Sequence, residues 1–188
     1  MKKNKKVVII DTQTSNIQSV MYACEKNNIN FEVVSEYKSF KENEVLGLIV
    51  PGVGSFKQGM KNLISKNLDK LIIEILKLNK PSLFICVGMQ ILFTESEEFG
   101  TGRGLDLIPG IIKKFPINLQ NQPIKVPHIS WNTIYKSSQN WDQTPLSNLN
   151  EDEFMYFVHS YYVIPSNKAC VLTNTNYDGI EFCSSIKI

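Results

Sequence analysis

Cys86 is the residue best placed in this chain to do covalent chemistry. It lies within Lys80-Pro81-Ser82-Leu83-Phe84-Ile85-Cys86-Val87-Gly88-Met89-Gln90-Ile91-Leu92-Phe93. The first half is an apolar run opened by a proline and reads as a buried strand. The second half, apolar at 89, 91, 92 and 93, reads as the start of a helix. A cysteine at that joint is pushed out of the sheet at the head of a helix. Free N–H groups there stabilise a thiolate and any oxyanion beside it. Gly88 leaves the approach clear, and small-x-nucleophile-x-Gly is the pattern of a nucleophile elbow. A buried core cysteine would use the same residue type, so the stretch alone leaves both readings open.

Three other groups could join that chemistry. Pro51-Gly52-Val53-Gly54 follows an apolar run and precedes a helical pattern, and its glycines let main-chain N–H groups approach an anion closely. An ordinary turn capped by Ser55 is the alternative. His128 and His159 are the chain's two histidines. Either could serve as the base that a catalytic cysteine requires, or as a structural hydrogen-bonder in a β-segment. Glu95, Glu97 and Glu98 form a charge run that suits a solvated face, with one carboxylate able to turn back toward a pocket.

The elements that position these residues alternate. Val7 to Asp11, Phe31 to Val34, Leu46 to Val50 and the Pro81 run read as strands. An amphipathic helix from Ile17 to about residue 27 follows the first. One long helix, with apolar residues at 60, 63, 64, 68, 71, 72, 75 and 76, follows the third. The pattern predicts an α/β fold with a doubly wound, mostly parallel sheet, whose working site lies at the carboxyl ends of the strands. From about residue 100 the helical period gives way to short strands, expected to extend or flank that sheet as antiparallel ribbons. The polar segment 137–150 predicts an exposed loop.

The chain has 188 residues, 43% of them apolar and 20% charged, which suits one globular domain over 1–188. Net charge is +2, and no basic stripe extends beyond Lys2-Lys3-Asn4-Lys5-Lys6, so nucleic acid is not implied. No apolar run is long enough for a membrane span or a signal peptide, which implies a cytoplasmic protein. Cysteines 24, 86, 170 and 183 are scattered, giving no case for disulfides or a metal site.

Taken together, Pro51-Gly52-Val53-Gly54, Cys86-Val87-Gly88-Met89-Gln90, Val126-Pro127-His128-Ile129-Ser130-Trp131-Asn132 and Phe157-Val158-His159-Ser160-Tyr161 resemble the class I glutamine amidotransferases. Glu95-Ser96-Glu97-Glu98, Gly104 to Gly110 and Tyr177-Asp178-Gly179 continue the match in order and spacing. Within that family the pattern is most similar to the glutaminase subunits of imidazole glycerol phosphate synthase, in histidine biosynthesis. A paralogous group that serves surface-polysaccharide sugar amidination is the alternative. The resemblance implies that Cys86 attacks glutamine and forms a glutamyl thioester. Main-chain N–H groups of Gly52 or Val53 and of Val87 would hold the oxyanion, and Gln90, Glu98, Ser160 and Tyr161 would bind the substrate. It implies no cofactor and no metal. Ammonia would pass to a synthase (β/α)8-barrel partner in a heterodimer, with Asn16 at the partner surface.

The chain also departs from that pattern. Phe84 stands where the elbow begins with glycine, Thr12-Gln13-Thr14-Ser15 replaces a glycine-rich loop, and Ser130 replaces a glycine. Repacking around Phe84 is expected to leave the Cys86 turn in place. The family draws its base from a Phe-His-Pro-Glu segment about a dozen residues after the Tyr177-Asp178-Gly179 turn, and His128 and His159 match other positions. The expectation is therefore a C-terminally incomplete domain of very low activity, a catalytically dead binding subunit at the extreme, with one sheet edge unpaired.

Overall fold

A computed structural model describes residues 5–137 and 139–188. Lys2, Lys3 and Asn4 of the lysine cluster, and Ser138, lie outside the described residues. The chain divides into two compact units, Met1–Leu92 and Phe93–Ile188.

The first unit is the doubly wound half. Its strands are β1 (Lys6–Ile10), β2 (Phe31–Val34), β3 (Val45–Gly52) and β4 (Ser82–Cys86), all parallel in the order β2-β1-β3-β4. β1 is covered on both faces, as its unbroken apolar run demands. On one face α1 (Ile17–Lys26) brings Cys24, Ile17 and Val20 against Val7 and Ile9. Asn16 precedes α1, exposed, and its side chain makes no capping bond.

The single long helix expected after β3 is two helices, α2 (Phe56–Ser65) and α3 (Leu68–Leu76). Asn67 breaks them by adopting the left-handed conformation at φ 53°. Asparagine tolerates that region better than other non-glycine residues. Leu63 before the break and Leu68, Leu71, Ile72 and Ile75 after it are all buried, so the apolar stripe survives the kink.

β4 is not the buried strand that its composition suggests. It pairs with β3 and ends the sheet order among the described residues, and Leu83 and Ile85 are 47% and 40% exposed. An apolar run encodes strand formation but not whether a neighbour covers it. Phe84 sits half-buried opposite Val50, and the turn at Cys86 forms beside it. The helix expected after Cys86 is one turn, α4 (Val87–Gln90).

The second unit is almost all strand. Its elements are β5 (Phe93–Ser96), β6 (Gly102–Arg103), β7 (Ile108–Lys114), β8 (Asn118–Leu119), β9 (Gln122–Pro123), β10 (His128–Lys136), β11 (Glu153–His159), β12 (Tyr161–Pro165), β13 (Val171–Tyr177) and β14 (Ile180–Ile186). Eight of them form a sheet of their own in the order β11-β10-β13-β14-β12-β7-β5-β6, antiparallel except for β5 with β7. The segment 137–150 is not wholly exposed. Trp141 is buried with Ile134 and Leu172, and its indole N–H donates to the Leu172 carbonyl at 3.3 Å. One aromatic anchor outweighs the polar composition around it.

Candidate active site

Within the first unit, strand pairing sets Gly52 directly opposite Cys86 at the carboxyl ends of β3 and β4. Cys86 is exposed at φ 56°, ψ −116°, immediately before α4. A non-glycine residue held there stores about 1–3 kcal/mol of backbone strain, a signature of turns that aim a side chain. The turn needs glycine on both sides of the crossing. A Cβ on Gly88 would lie 1.9 Å from the Val50 carbonyl oxygen, and one on Gly52 would lie 2.8 Å from the Gly88 nitrogen. These residues therefore make a strand-to-helix elbow carrying a thiol. The other cysteines are chemically quieter. Burial raises the thiol pKa of Cys24 and Cys170, and pushes that of Cys183 up to about 12.

Two features differ from the sequence expectation. A one-turn helix contributes little macrodipole, so local N–H groups carry the electrostatics of the elbow. Val87 opens that turn, where a backbone donor has no intrahelical acceptor. Val53, expected as an oxyanion donor, instead gives its N–H to the Thr14 carbonyl at 2.9 Å. No side-chain pattern signals such a bond, because the acceptor is main chain. A cavity of about 10 Å³ lies among Thr12, Thr14, Pro51, Gly52, Val87 and Gly88, far too small for a glutamine side chain. Gln90 is buried on α4.

The second unit holds the remaining expected substrate residues. Glu97 and Glu98 follow β5, with the Glu98 N–H donating to Ser96 Oγ at 3.1 Å. Burial raises the Tyr161 phenol pKa, and the negative charges of Glu98 and then Glu97 add to that, so these groups share one electrostatic neighbourhood. The Ser160 carbonyl accepts the Phe115 N–H at 3.0 Å.

The histidines are bonded to one another. His128 Nδ1 and His159 Nε2 are 3.0 Å apart, and His159 Nδ1 lies 2.9 Å from the Tyr161 carbonyl. A carbonyl only accepts, so His159 carries its proton on Nδ1 and takes a second proton contact from His128 Nδ1–H. His128 Nε2 is left buried without a partner. Phe115, Phe157, Tyr177 and Phe182 surround the pair, with Tyr177 stacked on His128 at 3.9 Å.

Burial, then the His159 charge, lowers the His128 pKa to about 4 against an opposing pull from Asp178, and burial lowers that of His159. Both rings are neutral in the folded chain at neutral pH. The unfolded rings bind protons below about pH 6.5, so stability should fall as pH drops from there toward 4. The expected loss is on the order of 2–3 kcal/mol. Urea unfolding at pH 7.5 and 4.5 checks this against His128→Asn, whose pH dependence should be flatter; equal slopes would refute it.

The profile of the class-I glutamine amidotransferases matches residues 8–187. The chain belongs to that family. It is 39% identical over 184 residues to the imidazole glycerol phosphate synthase subunit HisH of Aquifex aeolicus, covering 97% of this chain and 84% of the relative. It is 35% identical over 183 residues to the protein of that name from Geobacter sulfurreducens, covering 96% and 85%. The structure also resembles a glutamine amidotransferase from Thermotoga maritima, with a TM-score of 0.59 at 14% identity over 94% of this chain and 73% of the other. That likeness shows the fold, and the sequence relatives show the family. Among the described residues of this amidotransferase, no helix is long and apolar enough to cross a membrane.

Proposed function

We propose that this chain is the glutaminase subunit of an imidazole glycerol phosphate synthase, acting in the cytoplasm in histidine biosynthesis. The observation that carries the reading is the exposed Cys86 on a strained turn with Gly52 facing it across the ladder. Sγ attacks the side-chain carbonyl of glutamine, and the tetrahedral oxyanion is stabilised by main-chain N–H groups at Gly52 or Val53 and at Val87. Collapse expels the amide nitrogen, which leaves as ammonia after gaining a proton, and a glutamyl thioester remains. Water then cleaves the thioester to glutamate. Gln90, Glu98, Ser160 and Tyr161 orient the substrate in this reading. Both compact units form one amidotransferase domain, which the family match across both supports.

The relatives are named as synthase subunits, which favours this route over sugar amidination and implies a partner that consumes the ammonia. A (β/α)8-barrel synthase fits that role. Besides Asn16, the chain offers the partner an apolar face on the β10–β11 hairpin. There Ile129 pairs with Val158 and Trp131 with Tyr156, and all four are exposed. Exposed apolar patches of this kind mark association surfaces.

The test is covalent labelling with a chloroketone analogue of glutamine, followed by peptide mass spectrometry. Cys86 should be alkylated, glutamine should protect it, and Cys24, Cys170 and Cys183 should stay free. Labelling at those three, or labelling of Cys86 indifferent to glutamine, would defeat the assignment.

A further inference from the structure

We infer that Asn62, on α2, is a positioning residue that governs how firmly the Val53 N–H is withheld from the thiol chemistry. The inference rests on reading Cys86 as nucleophile and Val53 as an oxyanion donor. Asn62 Nδ2 donates to the Thr12 carbonyl at 2.6 Å, and its Oδ1 accepts from Gln58 Nε2 at 2.7 Å, which fixes which way the amide faces. The Thr12 and Thr14 hydroxyls are bonded at 2.9 Å, and the Gln13 N–H closes a turn on Asp11 Oδ1 at 2.8 Å. The far end of that braced loop is the Thr14 carbonyl, which holds Val53.

Val53 can reach a developing oxyanion once that bond opens. Either its peptide turns or the Thr14 carbonyl withdraws. The Val53 N–H sits on the peptide that follows Gly52, and a glycine there puts little torsional resistance in the way of a turn. Resistance therefore comes from the loop, and Asn62 ties that loop to α2. The hydroxyl pair depends on Thr12 and Thr14, which stand where the resembling sequences carry glycine-rich loops.

Asn62→Asp keeps the side-chain size but replaces the donor with an acceptor that repels the Thr12 carbonyl. Amide exchange at Val53, followed by NMR, should rise about fivefold, the worth of one net hydrogen bond. Exchange at Val8 and Leu48 in the same sheet should not change. Alkylation of Cys86 by the glutamine chloroketone, which passes through an oxyanion, should rise by a similar factor. Iodoacetamide alkylation, which does not, should stay constant. Asn62→Ala should act in the same direction. Unchanged Val53 exchange in both variants, or equal acceleration across the whole sheet, overturns the role of Asn62. If Cys86 reacts with neither reagent the nucleophile assignment fails, while Val53 exchange still decides the tether.

Discussion

Replacing His128 or His159 with asparagine should leave ammonia release from glutamine within a few-fold of the parent, whereas losing a general acid–base group costs about 10²–10⁴-fold. Three of the four histidine ring nitrogens are already engaged in hydrogen bonds. His159 spends Nδ1 on the Tyr161 carbonyl and Nε2 on His128, and His128 Nε2 is buried inside an aromatic box. A base must take a proton at one step and return it at another, and these rings are held neutral and enclosed. Departing ammonia then has no proton source on either ring, and attacking water has no acceptor there. Thiol alkylation needs neither step and should survive in both variants. Assaying ammonia for the two variants beside the parent, with the partner synthase present, decides the matter. A loss of about 10²–10⁴-fold in either variant would make that histidine the base and would refute the reading of the pair.

Gly88→Ala should cost about 3–5 kcal/mol, the upper range for a single change, and should remove chloroketone labelling of Cys86. The added methyl would sit 1.9 Å from the Val50 carbonyl oxygen, and that atom belongs to an inner strand of the sheet. A side chain can swing aside, but a ladder carbonyl cannot, so α4 would have to lift off β3. Gly52→Ala is the graded comparison, since its nearest contact is 2.8 Å, and it should cost about 1–3 kcal/mol. Urea midpoints of the three proteins measure the series. A Gly88→Ala midpoint within about 0.5 kcal/mol of the parent, the noise of neutral substitutions, would mean the elbow is looser than the structure shows.

Sequence reasoning reached the parts of this molecule that depend on apolar rhythm. β1, β2 and α1 fall where their patterns put them, because one face or both must be buried whatever the partner. The joint at Cys86 was legible for a related reason: a β-run meeting a helical period leaves few residues for the turn. Three features were not legible. Asn67 looks like any polar position on a helix face until its φ is known. The apolar pattern at 89, 91, 92 and 93 fits a helix or a short turn feeding a strand, and β5 takes Phe93 for its own. The Thr14 carbonyl that holds Val53 has no side-chain signature at all. The site was thus visible in its side chains and hidden in its main-chain bonds.

Among the described residues β4 pairs on one side only, which matters for chains that meet before they finish folding. Ser82 to Val87 is an uncharged, proline-free segment with aromatic and branched residues, and Lys80-Pro81 guards one end of it alone. Such a segment can stack in register with its copy in a neighbouring molecule, and a strand still unpaired along one edge in a part-folded chain competes poorly against that. Stacking would also bring Cys86 sulfurs side by side, so air oxidation would staple the stacked molecules together. The nucleophile and the misassembly hazard occupy the same six residues, and a charge placed there to cure the second would damage the first.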